Sequence, residues 1–180
     1  VVNNIAIQVS DVHILNTSKF EEQKDVFTNL INLTKKLEPR FVAICGDLFH
    51  SQLILSPESY YLAKYLISNL SLYSKIIIIP GNHDLNLSNL KRMDGITSFI
   101  DELDDSRVFY YKNSGVYEFE DDILIGSFSI ADKNYPKCPI SDKKKIALYH
   151  GTIAGSTNHF GFRFDNAKDT IGIFDGWDIA

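Results

Sequence analysis

The chain has 180 residues, of which 44% are hydrophobic and 23% are charged, and its formal net charge is −5. A chain of this length can form one domain with a substantial core, and no segment approaches the ~18 to 20 apolar residues of a membrane span. The negative charge argues against a broad basic surface for nonspecific nucleic-acid binding. Two cysteines form no disulfide framework, which predicts an intracellular, cytoplasmic protein, with the nucleus or a virus-infected cell as alternatives.

Short apolar runs rich in β-branched residues predict strands that are covered on both faces, at residues 5–9, 41–45, 76–79 and 145–149. Apolar residues at helical spacing predict an α-helix over residues 20–37, ended by Pro39. Ser56 followed by Pro57 predicts the start of a second helix that runs to about residue 72. The alternation of strands and helices predicts parallel strands joined by right-handed crossovers.

The pattern changes in the second half of the chain. Residues 107–128 contain three short strand-like runs separated by polar turns, which predict antiparallel hairpins. Residues 152–172 are rich in Gly, Asn, Thr and Asp and predict a long loop. A loop of this length in a compact domain more often has a function than serves as a spacer. Residues 177–180 predict the beginning of another strand.

Polar side chains follow each of the four predicted apolar strands. The carboxyl ends of strands in an open parallel sheet lie along one edge, so four chain segments are expected to meet there. Carboxylate, imidazole and amide groups together suit Mn²⁺, Fe or Zn²⁺. The residues that this pattern places at the edge are Asp11, His13, Asp47, Asn82 and His150.

Glycine precedes two of these residues, at Gly46 and Gly81. A backbone that closely approaches metals and phosphate excludes a bulky side chain and can require a positive φ. The two oxygens of Asp47 can bridge two cations, and two metals about 3.5 to 4 Å apart activate a hydroxide for in-line attack on phosphorus. The pattern therefore predicts hydrolysis of phosphate esters.

Four segments in order, Asp11-Val12-His13, Gly46-Asp47, Gly81-Asn82-His83-Asp84 and His150-Gly151, resemble the calcineurin-like metallophosphoesterase superfamily over residues 5–151. The sequence GDLFH followed by GNHD is similar to DNA double-strand-break-repair nucleases of the SbcD type, including phage recombination nuclease subunits. Protein serine/threonine phosphatases fit less well. They carry Glu where this chain has Asp84, and Asp-Arg-Gly where it has Phe49-His50-Ser51.

The resemblance implies an α/β fold for residues 1–180: two packed mixed β-sheets flanked by helices, in a four-layer metallophosphoesterase sandwich. It implies that two divalent metal ions, Mn²⁺ with Fe or Zn as alternatives, are bound by Asp11, His13, Asp47, Asn82 and His150, with Asp47 as the bridging ligand.

The resemblance also implies roles for two further histidines. A hydroxide that bridges the metals would attack phosphorus, and His83 would protonate the leaving oxygen, a role that suits an imidazole near neutral pH. His50 would place the scissile phosphate without binding metal. Asp84 is expected to hold neighbouring groups in place rather than to bind metal.

Partners are also implied by the resemblance: DNA, an SbcC-like coiled-coil ABC-type ATPase subunit, and a second copy of the chain in a homodimer, with no membrane. The superfamily completes its site with a Gly-His-x-His element, which does not occur in these 180 residues. We therefore expect a truncated chain with weakened metal affinity and activity, whose capping and partner-binding regions lie beyond Ala180.

Other interpretations remain open for the sequence. Taken alone, Asp11 could cap a helix, Asn82 could be a turn residue and His50 a solvated loop histidine. The chain could be a small-molecule phosphodiesterase or phosphatase. It could also be a noncatalytic binding module whose incomplete site holds at most one metal.

Overall fold

The structure is a computed structural model that describes residues 5–16, 18–51, 54–158 and 160–180. The chain divides into two compact units, residues 1–112 and 113–180. Each unit contains a β-sheet, and the predicted α/β class with two sheets and flanking helices is confirmed. Within the described part of the chain, no helix is long and apolar enough to cross a membrane.

The first unit is built on a parallel four-stranded sheet with helices in the connections. The strands lie in the order of the chain, and the elements are β1 (Ala6–Val9), α1 (Phe20–Leu37), β2 (Phe41–Cys45), α2 (Pro57–Ser71), β3 (Lys75–Ile79), α3 (Gly95–Leu103) and β4 (Val108–Tyr110). The first three strands and the first two helices match the sequence prediction to within one residue. This architecture brings the carboxyl ends of β1, β2 and β3 to one edge of the sheet.

The helices bury their apolar faces against alternate residues of the central strands. Phe27 and Ile31 of α1 are buried, and the side chain of Ser56 caps α2 by accepting a hydrogen bond from the Ser59 amide at 3.1 Å. The core of this unit includes Val42, Ile44, Leu62, Leu66, Ile67, Leu70, Ile76 and Ile78, which are all fully buried. Burial of such side chains stabilises the fold by about 1.5 to 3 kcal/mol each.

Helix α3 was not predicted, although the sequence contains its signal. Asp94 is the N-cap residue, and its carboxylate accepts hydrogen bonds from the Thr97 amide at 2.7 Å and from the Thr97 hydroxyl at 2.8 Å. Lys112 Nζ lies 2.7 Å from the same carboxylate, and Tyr110 donates to it at 3.3 Å. Burial opposes the charge of Asp94, but Lys112 and Thr97 outweigh this effect and lower its pKa.

The second unit contains a three-stranded mixed sheet. Strands β5 (Gly115–Glu120) and β6 (Ile123–Phe128) form an antiparallel hairpin, and β7 (Lys144–Tyr149) pairs in parallel with β6. The predicted hairpin is confirmed for β5 and β6. It was wrong for β4, which pairs in parallel with β3.

The expectation that the fourth apolar run continues the first sheet was also wrong, because β7 lies beside β6 in the second sheet. Apolar periodicity identifies a buried strand but does not identify its neighbour.

The region predicted as a long loop contains more structure than expected. Bridges join Ile153 to Asp169 and Thr157 to Arg163, and a 3-10 helix spans Ile171–Phe174. The predicted strand at residues 177–180 is represented by a single parallel bridge from Ile179 to Ile146 of β7. Aromatic rings pack around this part of the unit, at Phe128, Tyr135, Tyr149, Phe174 and Trp177.

Candidate metal centre

Backbone hydrogen bonds join the loops that follow β1 and β2. The amide of His13 donates to the carbonyl of Asp47 at 2.9 Å, and the amide of Ile14 donates to Leu48 at 3.0 Å. The amide of His50 in turn donates to the carbonyl of Ile14 at 3.1 Å. The parallel pairing of the two strands therefore continues into their loops and fixes the positions of the predicted ligands on both.

Three of the predicted ligands have left-handed backbone conformations. The φ angles are 54° at Asp11, 47° at His13 and 55° at Asp47, and Gly46 has a φ of 81°. Asp and His are among the non-glycine residues that tolerate this region best. Left-handed residues outside glycine are concentrated at functional sites, where the surrounding structure holds them. Three such residues in two adjoining loops fit a functional site, although left-handed residues also occur at helix ends, as at Lys19, Glu38 and Asp104.

Asp47 is the most enclosed of the predicted ligands, with 3% of its surface exposed. Its Oδ1 atom accepts a hydrogen bond of 2.8 Å from the amide of His83, which ties the loop after β3 to the loop after β2. A Cβ atom at Gly81 would overlap both the side chain and the amide of Asp47. The predicted reasons for the two glycines are thus confirmed: Gly46 has a positive φ, and Gly81 permits a close approach.

The imidazole of His13 lies beside two carboxylates without bonding to either. Its Nε2 atom is 3.6 Å from Oδ2 of Asp47 and 3.8 Å from Oδ1 of Asp11, beyond the range of a good hydrogen bond. Two ligand atoms that each lie about 2.1 Å from one cation can be at most ~4.2 Å apart. Both spacings therefore fit a shared ion.

The other nitrogen of the His13 ring faces away from these carboxylate contacts. Its Nδ1 atom is buried and has no hydrogen-bond partner among the described residues. A buried polar atom without a partner costs about 1 to 3 kcal/mol, so such atoms in native structures call for an explanation. Among the described residues, Nε2 of His13 therefore faces two carboxylates with which it could share a cation, while Nδ1 has no partner.

Three imidazole rings meet at this site. The ring centroid of His13 lies 4.8 Å from that of His83 and 5.5 Å from that of His50, and one nitrogen of each ring lies within 4.8 Å of the others. The Nδ1 atom of His83 is 2.9 Å from the carbonyl oxygen of His50. His50 is exposed, whereas the other two rings are half-buried. The site therefore holds imidazoles of different accessibility within reach of one substrate group.

Asp84 connects the backbones of two loops. Its carboxylate accepts hydrogen bonds from the amides of Gly81 at 2.8 Å, Phe49 at 3.0 Å and Leu48 at 3.3 Å. Only 1% of the residue is exposed. Burial raises its pKa to about 6, and the nearby charge of Asp47 acts in the same direction, while the three amides oppose the rise. Asp84 thus holds the loops that carry Asp47 and His83.

Gln23 of α1 is a supporting residue that the sequence analysis missed. Its side-chain amide donates to the carbonyl of His13 at 3.1 Å, and its side-chain oxygen accepts from the amide of Leu15 at 3.1 Å. Gln23 therefore binds both neighbours of Ile14 and anchors the loop after β1 to the helix. A lone glutamine in an amphipathic helix carries no sequence signal for this role.

The structure places the remaining two predicted ligands at strand ends. Asn82 is exposed and lies between Gly81 and His83 in the loop after β3. His150 directly follows β7 in the second unit and is half-buried. The ligand roles of Asn82 and His150 stay predictions.

The chain belongs to the calcineurin-like phosphoesterase family, whose sequence profile matches residues 6–178. Members of this family bind divalent metals, and the carboxylates and imidazoles described above fit such ions.

The chain is also similar to an uncharacterized protein of Acanthamoeba polyphaga mimivirus, with 30% identity over 184 residues. This match covers 94% of the chain but only 14% of the viral protein. Among solved structures, the crystal structure of Pseudomonas putida nuclease MPE aligns with a TM-score of 0.46 and 16% identity, over 79% of this chain and 59% of the nuclease.

Proposed function

We propose that the chain is the phosphoesterase domain of a two-metal phosphodiester hydrolase that acts on DNA, as the nuclease subunit of a repair or recombination complex. The observation that carries the proposal is the position of Asp47. Its Oδ2 atom lies 3.6 Å from His13 Nε2, while its Oδ1 atom accepts the amide of His83. One enclosed carboxylate thus links a predicted ligand to the predicted acid.

In this proposal two divalent cations, Mn²⁺ with Fe or Zn as alternatives, are held by Asp11, His13, Asp47, Asn82 and His150. A carboxylate oxygen of Asp11 lies within 4.8 Å of one of Asp47, so both can face the same ion. When bound, the cations supply an activated water and neutralise charge on the phosphate. The protein's part is to hold these donors on loops whose backbones are fixed by hydrogen bonds.

His83 is the proposed acid at the leaving oxygen. A carbonyl oxygen has no hydrogen to give, so the 2.9 Å contact with His50 requires a proton on Nδ1 of His83. The Nε2 atom is then the nitrogen that exchanges a proton with the substrate. An imidazole can both hold and release that proton near neutral pH.

His50 is the proposed contact for the scissile phosphate. Its ring stacks near that of His83 with centroids 5.6 Å apart, and it is the exposed member of the three histidines. An exposed imidazole beside the acid can reach a substrate group without displacing a metal ligand. The same contact would serve the alternative, a small-molecule phosphodiesterase or phosphatase, so the choice of DNA rests on the similarity of the GDLFH and GNHD segments to SbcD-type nucleases.

The proposal includes partners for the whole protein. We infer that it associates with an SbcC-like coiled-coil ABC-type ATPase subunit, forms a homodimer and works inside the cell. These inferences rest on the similarity of the GDLFH and GNHD segments to SbcD-type nucleases.

Metal titration and hydrolysis test the proposed function together. In the full-length protein, bound Mn²⁺ is counted by mass spectrometry and electron paramagnetic resonance, and hydrolysis is followed on a labelled DNA strand and on bis(4-nitrophenyl) phosphate. Asp47→Asn is expected to lose metal and both activities, whereas Asp25→Asn, an exposed change of equal charge on α1, keeps them.

The alternatives predict different outcomes in these assays. Tight binding of one ion at most, without hydrolysis, would favour a noncatalytic binding module. Hydrolysis of the small diester but never of DNA would favour a small-molecule phosphodiesterase.

A further inference from the structure

His150 lies where β7 of the second unit leads into the long loop of residues 152–172. It directly follows Tyr149, the last residue of the strand, and it precedes Gly151. A histidine at such a place binds a cation well only when neighbouring groups hold it in position. The residues that hold this segment belong to the strand and to the loop itself.

The side chain of Tyr149 packs against the backbone that follows it. An added Cβ atom at Gly151 would overlap the hydroxyl group and ring of Tyr149. The same ring contacts Tyr135 and Phe174, with centroids 6.1 Å and 5.6 Å away. Both chain neighbours of His150 therefore depend on the position of one tyrosine side chain.

Asp169 holds this segment at two points. Its Oδ2 atom accepts hydrogen bonds from the hydroxyl of Tyr149 at 2.8 Å and from the hydroxyl of Tyr135 at 3.0 Å. Its main-chain oxygen accepts a third, at 2.7 Å, from the amide of Ala154. Tyr149 and Ala154 lie on opposite sides of His150 in the chain. One residue of the loop thus holds both ends of the segment that carries the histidine.

We propose that Asp169 is a positioning residue for His150; this rests on the ligand role proposed above for that histidine. The carboxylate holds the tyrosine in front of the histidine, and the main chain holds the residues behind it, so the backbone between them has little freedom. Groups that orient a metal ligand without touching the metal change metal affinity by about ten-fold to a hundred-fold. The loop predicted to have a function acts on the proposed site in this way.

The affinity of the full-length protein for Mn²⁺, measured by electron paramagnetic resonance of the free ion, tests this role. We expect Asp169→Ala to weaken Mn²⁺ binding by about ten-fold to a hundred-fold. Tyr149→Phe keeps the ring but removes the hydroxyl, and a similar loss is expected. The two changes remove the same hydrogen bond, so the double variant should bind Mn²⁺ no more weakly than Asp169→Ala alone.

Two matched controls are present in the same unit. Tyr135→Phe removes the other hydroxyl from the same carboxylate, while Asp169 keeps its hydrogen bond to Tyr149. Asp165→Ala removes an equal charge from the same loop, where the carboxylate is exposed and paired with Arg163 at 2.6 Å. Both controls are expected to bind Mn²⁺ as the wild type does.

Combination with His150→Ala separates positioning from a general loss of stability. His150→Ala is expected to weaken Mn²⁺ binding, and Asp169→Ala should then cause no further loss, because the ligand that it positions is gone. A merely structural defect would weaken binding in both backgrounds and would overturn the proposal. In EDTA, amide hydrogen exchange of residues 149–154 should be faster in Asp169→Ala than in the wild type, which reports the freed segment without metal.

The failure of this proposal can be told apart from a failure of the proposed function. Normal Mn²⁺ affinity in Asp169→Ala, beside a loss in His150→Ala, would overturn the positioning role and leave the proposed ligand in place. Equal losses in Tyr135→Phe and Tyr149→Phe, or unchanged hydrogen exchange in Asp169→Ala, would overturn it as well. Normal affinity in His150→Ala would remove the histidine from the proposed ligands, and the role of Asp169 would fail with it.

Discussion

The Nδ1 atom of His83 lies 2.9 Å from the backbone carbonyl oxygen of His50, so the orientation of one histidine depends on the main chain of the other. A change of the His50 side chain leaves that carbonyl in place. Substitutions at residue 50 therefore test its imidazole alone, whereas substitutions at residue 83 remove the proposed acid. The two histidines can be examined separately in spite of their contact.

His83→Asn is expected to slow DNA cleavage by about 10² to 10⁴-fold, the usual contribution of a general acid. Bis(4-nitrophenyl) phosphate has a leaving group that departs without a proton, so its hydrolysis should fall much less. Steady-state rates on both substrates, with bound Mn²⁺ measured in parallel, check the assignment. If the rates of hydrolysis of both substrates fell by the same factor, His83 would not be the general acid.

Asp84→Asn is expected to destabilise the protein and weaken Mn²⁺ binding together. The amide group of asparagine has one acceptor oxygen, whereas the carboxylate now accepts three backbone amides. Leaving buried donors unsatisfied costs about 1 to 3 kcal/mol of unfolding free energy. Urea unfolding and a Mn²⁺ titration measure the two effects, with the exposed Asp121→Asn as a control of equal charge. Normal metal affinity in Asp84→Asn would contradict the role of Asp84 in holding the loops.

Gly81→Ala tests the close approach between the loops after β2 and β3. The added methyl group would overlap Asp47, and overpacking of this kind costs about 1 to 3 kcal/mol. We expect both the unfolding free energy and the Mn²⁺ affinity to fall. Gly172→Ala is the matched control, because its Cβ would meet only ordinary contacts of 3.7 Å and longer. If Gly81→Ala and Gly172→Ala had the same unfolding free energy and the same Mn²⁺ affinity, the loop after β3 would be able to move away from Asp47 without cost.

The Asp94 carboxylate is expected to stabilise the first unit in a pH-dependent manner. Its pKa is lowered in the folded state, below the value of about 3.9 in an unfolded chain. The stabilisation is thus fully present above pH ~4 and is lost as the pH falls through the folded pKa.

Asp94→Asn should therefore lower the unfolding free energy at pH 7, by about 1 to 3 kcal/mol, and the difference from the wild type should shrink towards pH 2. Urea unfolding at several pH values measures this difference. Lys112→Met, which keeps the helix cap but removes the ion pair, should show a smaller effect. A difference that stays constant between pH 7 and pH 2 would exclude the ionised carboxylate as its source.

The sequence was sufficient to locate the parallel half of the fold, because its strands are continuous apolar runs and its helices have clear boundaries. Ser56 and Pro57 mark the start of α2, and Pro39 follows the end of α1. The partner of β7 could not be predicted, since its apolar residues would suit either sheet. Helix α3 was missed because it is short and follows a polar segment, although Asp94 and the spacing of Ile96, Phe99 and Ile100 indicate it.

The part of the candidate site that could be predicted consists of residues whose type alone indicates metal binding or a special backbone conformation. Asp11, His13 and Asp47 lie together as expected, and Gly46 and Gly81 have the conformational reasons inferred for them. The supporting contacts were not predictable. The side chain of Gln23 reaches the loop after β1 from a helix, and the Nδ1 atom of His83 bonds to a main-chain oxygen, so neither contact depends on a recognisable pattern of side chains.

The left-handed conformations of Asp11, His13 and Asp47 limit which residues can replace them during evolution. Asparagine and glycine tolerate such backbones, whereas most other residues lose about 1 to 2 kcal/mol there. Most random substitutions at these positions would therefore remove a proposed ligand and loosen the fold in the same step. A lineage that gave up the chemistry but kept the domain as a scaffold is expected to carry asparagine or glycine at these three positions.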